Sequence, residues 1–477
     1  MSFISLQYYA FLAFAVVVFH ALPARVRGLF LLLASYLFYV SFEPRAIFFI
    51  LATTIVSFSA SSIMGSSDNS FKRKLALATA LCLELTFLAM TKYFNPIALS
   101  TGWFSPIKIL IPLGISFYTF QTIGYLFDVY RGHLEAEKNF LRYALFLSFF
   151  PHLLAGPIEP AQHFLPQLKE ENSYKPKLLI FGVLLILVGL FKKLVIADRL
   201  GMIVNLVYDS PSEYHGGAIA LATLLARYQI YADFSGYTDI ALGSAMLFGF
   251  ELTPNFNRPF SATSIGEYWK RWHMSLSTWI RNYIFFPLIT SPISFLGAPI
   301  LVLLTFLILG IWHGGTINFL IYGLIQGILI VLDYQTQSLR TRAYEKMGLT
   351  RFPRLLKLFS IAFTFFVLIV PPTLFFRASK FSDAKILLNN LFNQLWSRSD
   401  FEFLHRSEFL VLCLKIALPA IVIYEIGHWV HTEKMHLGEF IFKKPIAVFY
   451  AVVVAMLMVL AVYGFFEMSS SFIYTQF

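Results

Sequence analysis

Charge is what this chain has least of. Asp, Glu, Lys and Arg make up 13% of its 477 residues, where a soluble domain carries about 25%. The deficit runs along nearly the whole length, which excludes a soluble domain held by a single anchor. Cysteine is almost absent too. Cys82 and Cys413 both lie in apolar surroundings, which excludes a disulfide framework and a cysteine metal site. No Lys or Arg precedes Arg25, so the basic start of a cleavable signal peptide is missing. The first span is therefore expected to be retained, with its N-terminus outside, because Arg25 and Arg27 follow it. The chain also lacks HExxH, GxxxxGK[ST] and GxSxG, so metalloprotease, P-loop ATPase and α/β-hydrolase readings lose their support. It shows no tandem repeat and no low-complexity tail.

What is present is apolar sequence. The composition is 58% hydrophobic and 18% aromatic, with mean hydropathy +0.69. Candidate spans fall near 6–22, 28–42, 46–64, 75–94, 107–126, 140–155, 178–208, 216–250, 299–332, 355–376, 409–430 and 445–466. One crossing takes about 20 residues, so the longer stretches are expected to be hairpins or re-entrant pairs. The net charge of +11 would suit nucleic acid if it formed a soluble patch. Here the basic residues sit between apolar spans, as in Lys72-Arg73-Lys74 and the loop carrying Arg340, Arg342, Lys346, Arg351, Arg354 and Lys357. Positive-inside topology accounts for them, and no nucleic-acid partner is expected. The mixed segment from Phe381 to Ser407 reads as an amphipathic extramembrane helix and loop on the outer side. The fold class expected is all-α: a polytopic membrane protein of about 11–13 transmembrane or re-entrant helices.

From Asn282 to Leu332 there is no Asp, Glu, Lys or Arg, yet His313 lies inside, in Gly310-Ile311-Trp312-His313-Gly314-Gly315. An ionisable group in such a run is costly and is a functional candidate by default. Two arms, about 300–312 and 316–332, meet there, each slightly short for a full span. Non-helical backbone at membrane depth must line a protein cavity, so His313 is expected to border a funnel or tunnel. A neutral imidazole there can take the proton of an attacking hydroxyl. The competing reading is a histidine that only hydrogen-bonds across the bundle.

A second region runs from Tyr231 to Leu288. Asp233 and Asp239 sit in what reads as a small polar break in apolar sequence, bonding helix ends or pairing with Arg258 or Arg271. Pro254 to Phe260 is a loop by its prolines and asparagines. Ser264 and Glu267 form a capping box. From there one helix is expected, with Tyr268, Trp272, Trp279 and Tyr283 on one stripe and Trp269, His273, Leu276 and Ile280 beside it. His273 alone would suit an interfacial helix as well as a site. His428, His431 and His436 match no strong zinc spacing, and no metal site is expected.

These residues fall in an ordered set of motifs. They are Pro112-Leu113-Gly114-Ile115-Ser116-Phe117, Asp128-Val129-Tyr130-Arg131-Gly132, and Phe150-Pro151-His152 through Gly156-Pro157-Ile158. Then follow Asp233-Phe234-Ser235-Gly236-Tyr237, Asn255-Phe256-Asn257-Arg258-Pro259, Trp269-Lys270-Arg271-Trp272-His273-Met274-Ser275, Trp312-His313-Gly314 and Phe375-Phe376-Arg377. In that order they resemble the membrane-bound O-acyltransferases, in the bacterial branch of alginate O-acetylation and teichoic acid D-alanyl transfer. The chain departs from the usual pattern at Asn282, after Pro287-Leu288, and at Gly315.

The resemblance implies a single domain over 1–477, with N-terminal helices (1–105), a catalytic core (106–335) and C-terminal helices (336–477) around a central tunnel. It implies that His313 is catalytic, with His273 as its partner. Trp272, Trp312, Arg271, Asp233 and Asn318 are the expected substrate-contacting residues, Arg271 facing an anionic donor. No bound cofactor is expected; the donor is an acyl thioester, acetyl-CoA or a carrier-protein thioester. The expected activity passes acetyl across a bacterial inner membrane to an exported or cell-envelope polysaccharide, alongside membrane lipid and a periplasmic partner acyltransferase. D-alanyl transfer from a carrier protein is the alternative, and a lipid or glycan flippase is the alternative of another class.

Overall fold

The computed structural model describes residues 2–101, 112–154, 156–169, 175–393, 398–405, 407–433 and 444–464. The start of the expected span 107–126, the side chains of His428 and His431, and His436 lie outside them. Among the described residues the structure is helical and has no strand. Among the described residues, seven helices are long and apolar enough to cross a membrane: Pro44–Ser66, Ser70–Asn95, Pro176–Asp209, Pro292–His313, Ile317–Lys346, Glu408–Gly427 and Ile446–Tyr463. The chain is an all-α, multi-pass membrane protein.

The chain forms two compact units, interleaved in sequence. The first takes residues 1–190, 237–254 and 438–454. Its opening helix, Leu6–Ala21, begins where the Ser5 hydroxyl accepts from Tyr8 N–H at 3.2 Å. A core of Tyr39, Ala46, Ile50, Leu88, Ile115, Tyr118 and Leu153 packs helices Ala24–Val40, Ile47–Ser66, Ser70–Thr101 and Ile115–Arg131. Several buried hydroxyls here find partners within the protein, as lipid demands. Ser35 and Thr54 donate to the carbonyls of Leu31 and Ile50, at 2.7 and 2.6 Å, and Tyr143 donates to Ser57 at 2.7 Å.

The second unit takes residues 191–236, 255–437 and 455–477, and it holds every residue expected at the site. Here the structure departs from the sequence reading. The stretch 178–208 is no hairpin: Pro176–Asp209 is one helical run, relaxed by a wider π-helical turn at Phe191–Ala197. That turn buries Lys192 and Lys193. Nor does the chain break around Asp233, since Gly216–Leu247 is one continuous 32-residue helix. The polar groups that suggested a break are satisfied sideways. Lys193 Nζ lies 2.7 Å from Asp233 Oδ1 and 2.8 Å from Asp198 Oδ1, so a lysine that the sequence reading did not name pairs with Asp233.

The stretch 299–332 is a hairpin as expected, of Gly297–His313 and Ile317–Lys346. Its second arm is not short. Its helix runs on through Arg340 and Arg342 to Lys346, so much of the expected basic loop is helix.

Candidate active site

His313 is the last residue of helix Gly297–His313 and is 4% exposed. Glycine shapes the turn that follows. A Cβ on Gly314 would lie 2.6 Å from the Phe319 ring, so that ring closes over the end of the helix. Lower in the hairpin the helices cross backbone to backbone. A Cβ on Gly310 would meet Phe319 O at 2.4 Å, and one on Gly323 would meet Phe306 O at 2.4 Å. The imidazole is ringed by aromatic side chains: Trp312 at 4.7 Å between centroids, Phe376 at 5.2 Å edge-on, Phe319 at 6.1 Å and Tyr322 at 6.2 Å edge-on. Phe376 arrives on the short helix Thr373–Arg377. Asn318 holds that segment in place, its amide donating to Ala378 O at 2.8 Å. Asn318 thus acts on the aromatic surround of His313 through the backbone.

His273 is placed by a different device. The helix expected from Ser264 is two helices, Ile265–Trp269 and Met274–Ile280. Ser264 caps the first, its hydroxyl accepting from Glu267 N–H at 3.2 Å. The Glu267 carboxylate reaches back to Thr263 N–H and its hydroxyl, at 2.8 and 2.6 Å. His273 interrupts the run, at φ 42 and ψ 56, in the left-handed region that non-glycine residues seldom enter. The Asn-Phe-Asn-Arg loop enforces this. Asn257 N–H donates to Arg271 O at 3.0 Å, and Met274 N–H donates to Asn255 O at 2.9 Å. Asn255 Oδ1 also accepts the Ser275 hydroxyl at 2.6 Å. The imidazole is 1% exposed and stands edge-on to Phe234 at 4.7 Å. Lying outside the seven candidate spans, it has its pKa pushed down to about 3 by burial, which keeps it in the neutral, base-competent form.

Cross-ties hold the two histidine-bearing segments together. Trp269 Nε1 donates to Gln326 Oε1 at 3.1 Å, and Gly266 N–H donates to Asp333 Oδ2 at 3.0 Å. Both acceptors are on helix Ile317–Lys346, the second arm of the His313 hairpin. Arg227, 2% exposed, bridges more deeply. Its guanidinium carbon is 4.1 Å from the centroid of the Trp272 ring, and it donates to the Tyr322 hydroxyl.

The other expected residues have definite places. Trp272 packs between Phe256, Phe260 and Tyr268. Trp312 lies beside His313 with its ring tilted by 56°. Arg271 gives two nitrogens to Glu267 Oε1, at 3.0 and 2.7 Å. Asp233 lies in the ion triad with Lys193 and Asp198. Sequence reading missed Arg227, Tyr322 and Asn255. Arg227 carried a signal: it is the one charged residue between Glu213 and Asp233. Among the described residues no group of three His, Cys, Asp or Glu side chains could hold a metal.

The sequence profile of the membrane-bound O-acyltransferase family matches residues 133–379, more than half of the chain and including both histidines and Arg227. The chain belongs to this family. It is therefore an acyltransferase, and its substrate is an acyl donor. Among its relatives is a probable alginate O-acetylase of Azotobacter vinelandii, 31% identical over 88% of this chain and 83% of that protein. A peptidoglycan O-acetyltransferase of Helicobacter pylori is 32% identical over 66% of each chain. A teichoic acid D-alanyltransferase of Bacillus subtilis is 30% identical over 47% of this chain and 59% of that protein.

Proposed function

We propose that this acyltransferase is an inner-membrane O-acetyltransferase. It passes acetyl from a cytoplasmic thioester, acetyl-CoA or a carrier-protein thioester, toward an exported or cell-envelope polysaccharide. The observation that carries the reading is a pair of fully buried histidines within one compact unit, on segments tied together by Trp269–Gln326 and by Arg227.

In this mechanism the acceptor hydroxyl oxygen attacks the acyl carbonyl while His313 takes the hydroxyl proton. A new C–O bond forms, the C–S bond breaks, and the proton passes from His313 to the departing thiolate. His273 supports that proton transfer from the neighbouring turn. Trp312 and Trp272 wall the site with rigid aromatic faces. The acceptor is either the polysaccharide itself or a periplasmic partner acyltransferase that relays the group.

Acetyl is favoured over D-alanyl by coverage. The O-acetylating relatives align over 66% to 88% of the chain, the D-alanyltransferases over 47% to 50%. The test is His313→Ala at matched protein level, with alkali-labile acyl groups on envelope and exported polysaccharide identified by mass spectrometry. Loss of acetyl esters is expected. Loss of D-alanyl esters instead would move the reading to the carrier-protein donor. Unchanged ester content would overturn it.

A further inference from the structure

Arg227 is a large cation withdrawn from water in the second unit. It lies in the middle of helix Gly216–Leu247 and is 2% exposed. A cation withdrawn from water needs compensation worth several kcal/mol. Much of what surrounds it is aromatic: the faces of Trp272 at 4.1 Å, Tyr268 at 5.2 Å and Phe260 at 6.0 Å. Guanidinium over desolvated indole is the strongest version of this attraction.

The geometry of these neighbours gives the cation a role. Trp272 directly precedes His273, and its ring stacks on Tyr268 at 23° and on Phe260 at 29°. Arg227 completes that stack and so fixes the turn from which the His273 side chain departs. On its other side the guanidinium donates to the Tyr322 hydroxyl. The Tyr322 ring stands edge-on to His313 at 6.2 Å and packs on Phe376 at 5.1 Å. One side chain therefore reaches the immediate neighbours of both histidines, which sit on segments about forty residues apart in sequence.

We propose that Arg227 is a positioning residue for acyl transfer, setting the Tyr322 ring against His313 and the Trp272 turn beneath His273. The proposal rests on the reading of the two histidines as the acyl-transfer site. Arg227 needs no contact with donor or acceptor. It needs its planar fork and its charge, one for the stack and one for the tyrosine. Lysine keeps the charge and part of the cation–π attraction but loses the fork. Methionine keeps much of the volume and loses both.

The experiment uses the full-length chain, expressed at matched level in cells without the native copy, with alkali-labile acyl esters on envelope polysaccharide as readout. Arg227→Met is expected to lower the ester-forming rate at least about tenfold, and Tyr322→Phe about threefold to tenfold. The double variant is expected to be no worse than Arg227→Met alone, because neighbours in one network are not additive. Arg227→Lys is expected to recover part of the loss. Thermal midpoints in detergent separate this from misfolding. Methionine keeps apolar contact with the aromatic faces that surround Arg227, and the Met variant is expected to unfold near the wild-type temperature. Ester formation that falls only in step with folded protein, or single effects that multiply in the double variant, overturns the proposal. If His313→Ala keeps its activity, the underlying reading fails instead, and that outcome is distinct.

Discussion

The imidazole of His273 departs from a backbone conformation that costs an L-residue roughly 1–2 kcal/mol. The turn persists because Asn255 and Asn257 hold both sides of it. Asparagine tolerates the same conformation, whereas a β-branched residue does not. His273→Asn is expected to leave the unfolding temperature close to wild type while abolishing acyl transfer. His273→Val is expected to lose both. Unfolding temperature and ester content of the two variants, side by side, check this. Asn255→Ala removes the acceptor of the buried Ser275 hydroxyl and is expected to cost roughly 1–3 kcal/mol. In the first unit a pH effect follows from His163, whose Nδ1 pairs with Glu159 Oε1. The hydrogen bond to Glu159 raises the imidazole above its ordinary value of 6.5, against a smaller opposing effect of burial. A raised histidine contributes stability that is complete below pH 6.5 and is lost as pH rises through the shifted value. The unfolding midpoint is expected to decline as pH rises above 6.5, and His163→Gln to flatten that decline.

At the level of elements, the hairpin of Gly297–His313 and Ile317–Lys346 depends on two glycines facing backbone. Gly323→Ala puts a methyl 2.4 Å from Phe306 O, so the arms must part. A loss of about 1–3 kcal/mol is expected, together with lost activity from a displaced His313. A thermal midpoint and an ester assay on the same preparation report both. The ion triad is the counterpart on the long helices. Lys193→Met leaves Asp198 and Asp233 buried without their lysine and is expected to cost about 3–5 kcal/mol.

The sequence made much of this legible. Fifty-one uncharged residues around His313 are a signal that few other structures produce, and the hairpin follows from their length and the central glycines. The helix break at His273 was not legible, because the residues that force it lie about eighteen positions earlier in chain order. The continuity of Gly216–Leu247 was hidden for a related reason. Asp233 looks like a break in sequence when its lysine, forty residues away, is not in view.

For the whole molecule, the apolar surface left exposed belongs to a lipid-facing protein. Leu412, Val422 and Ile423 on one candidate span, and Tyr450 and Met458 on another, are all at least half exposed. By charge alone, the exposed Lys72 and Arg342 are expected on the cytoplasmic side. In a background carrying Cys82→Ser and Cys413→Ala, Lys72→Cys and Arg342→Cys are expected to resist an impermeant maleimide in spheroplasts and to label once the membrane is opened. Labelling of either in sealed spheroplasts would reverse the topology. The glycine crossing also bears on the membrane as a material. Arms that meet backbone to backbone cannot slide past each other, so His313 keeps a fixed height along the hairpin. A bilayer of different thickness must then be met by tilting the pair or by deforming the lipid. Acyl-transfer rate in vesicles of graded chain length would thus report how far the surrounding lipid yields before the His313 hairpin does.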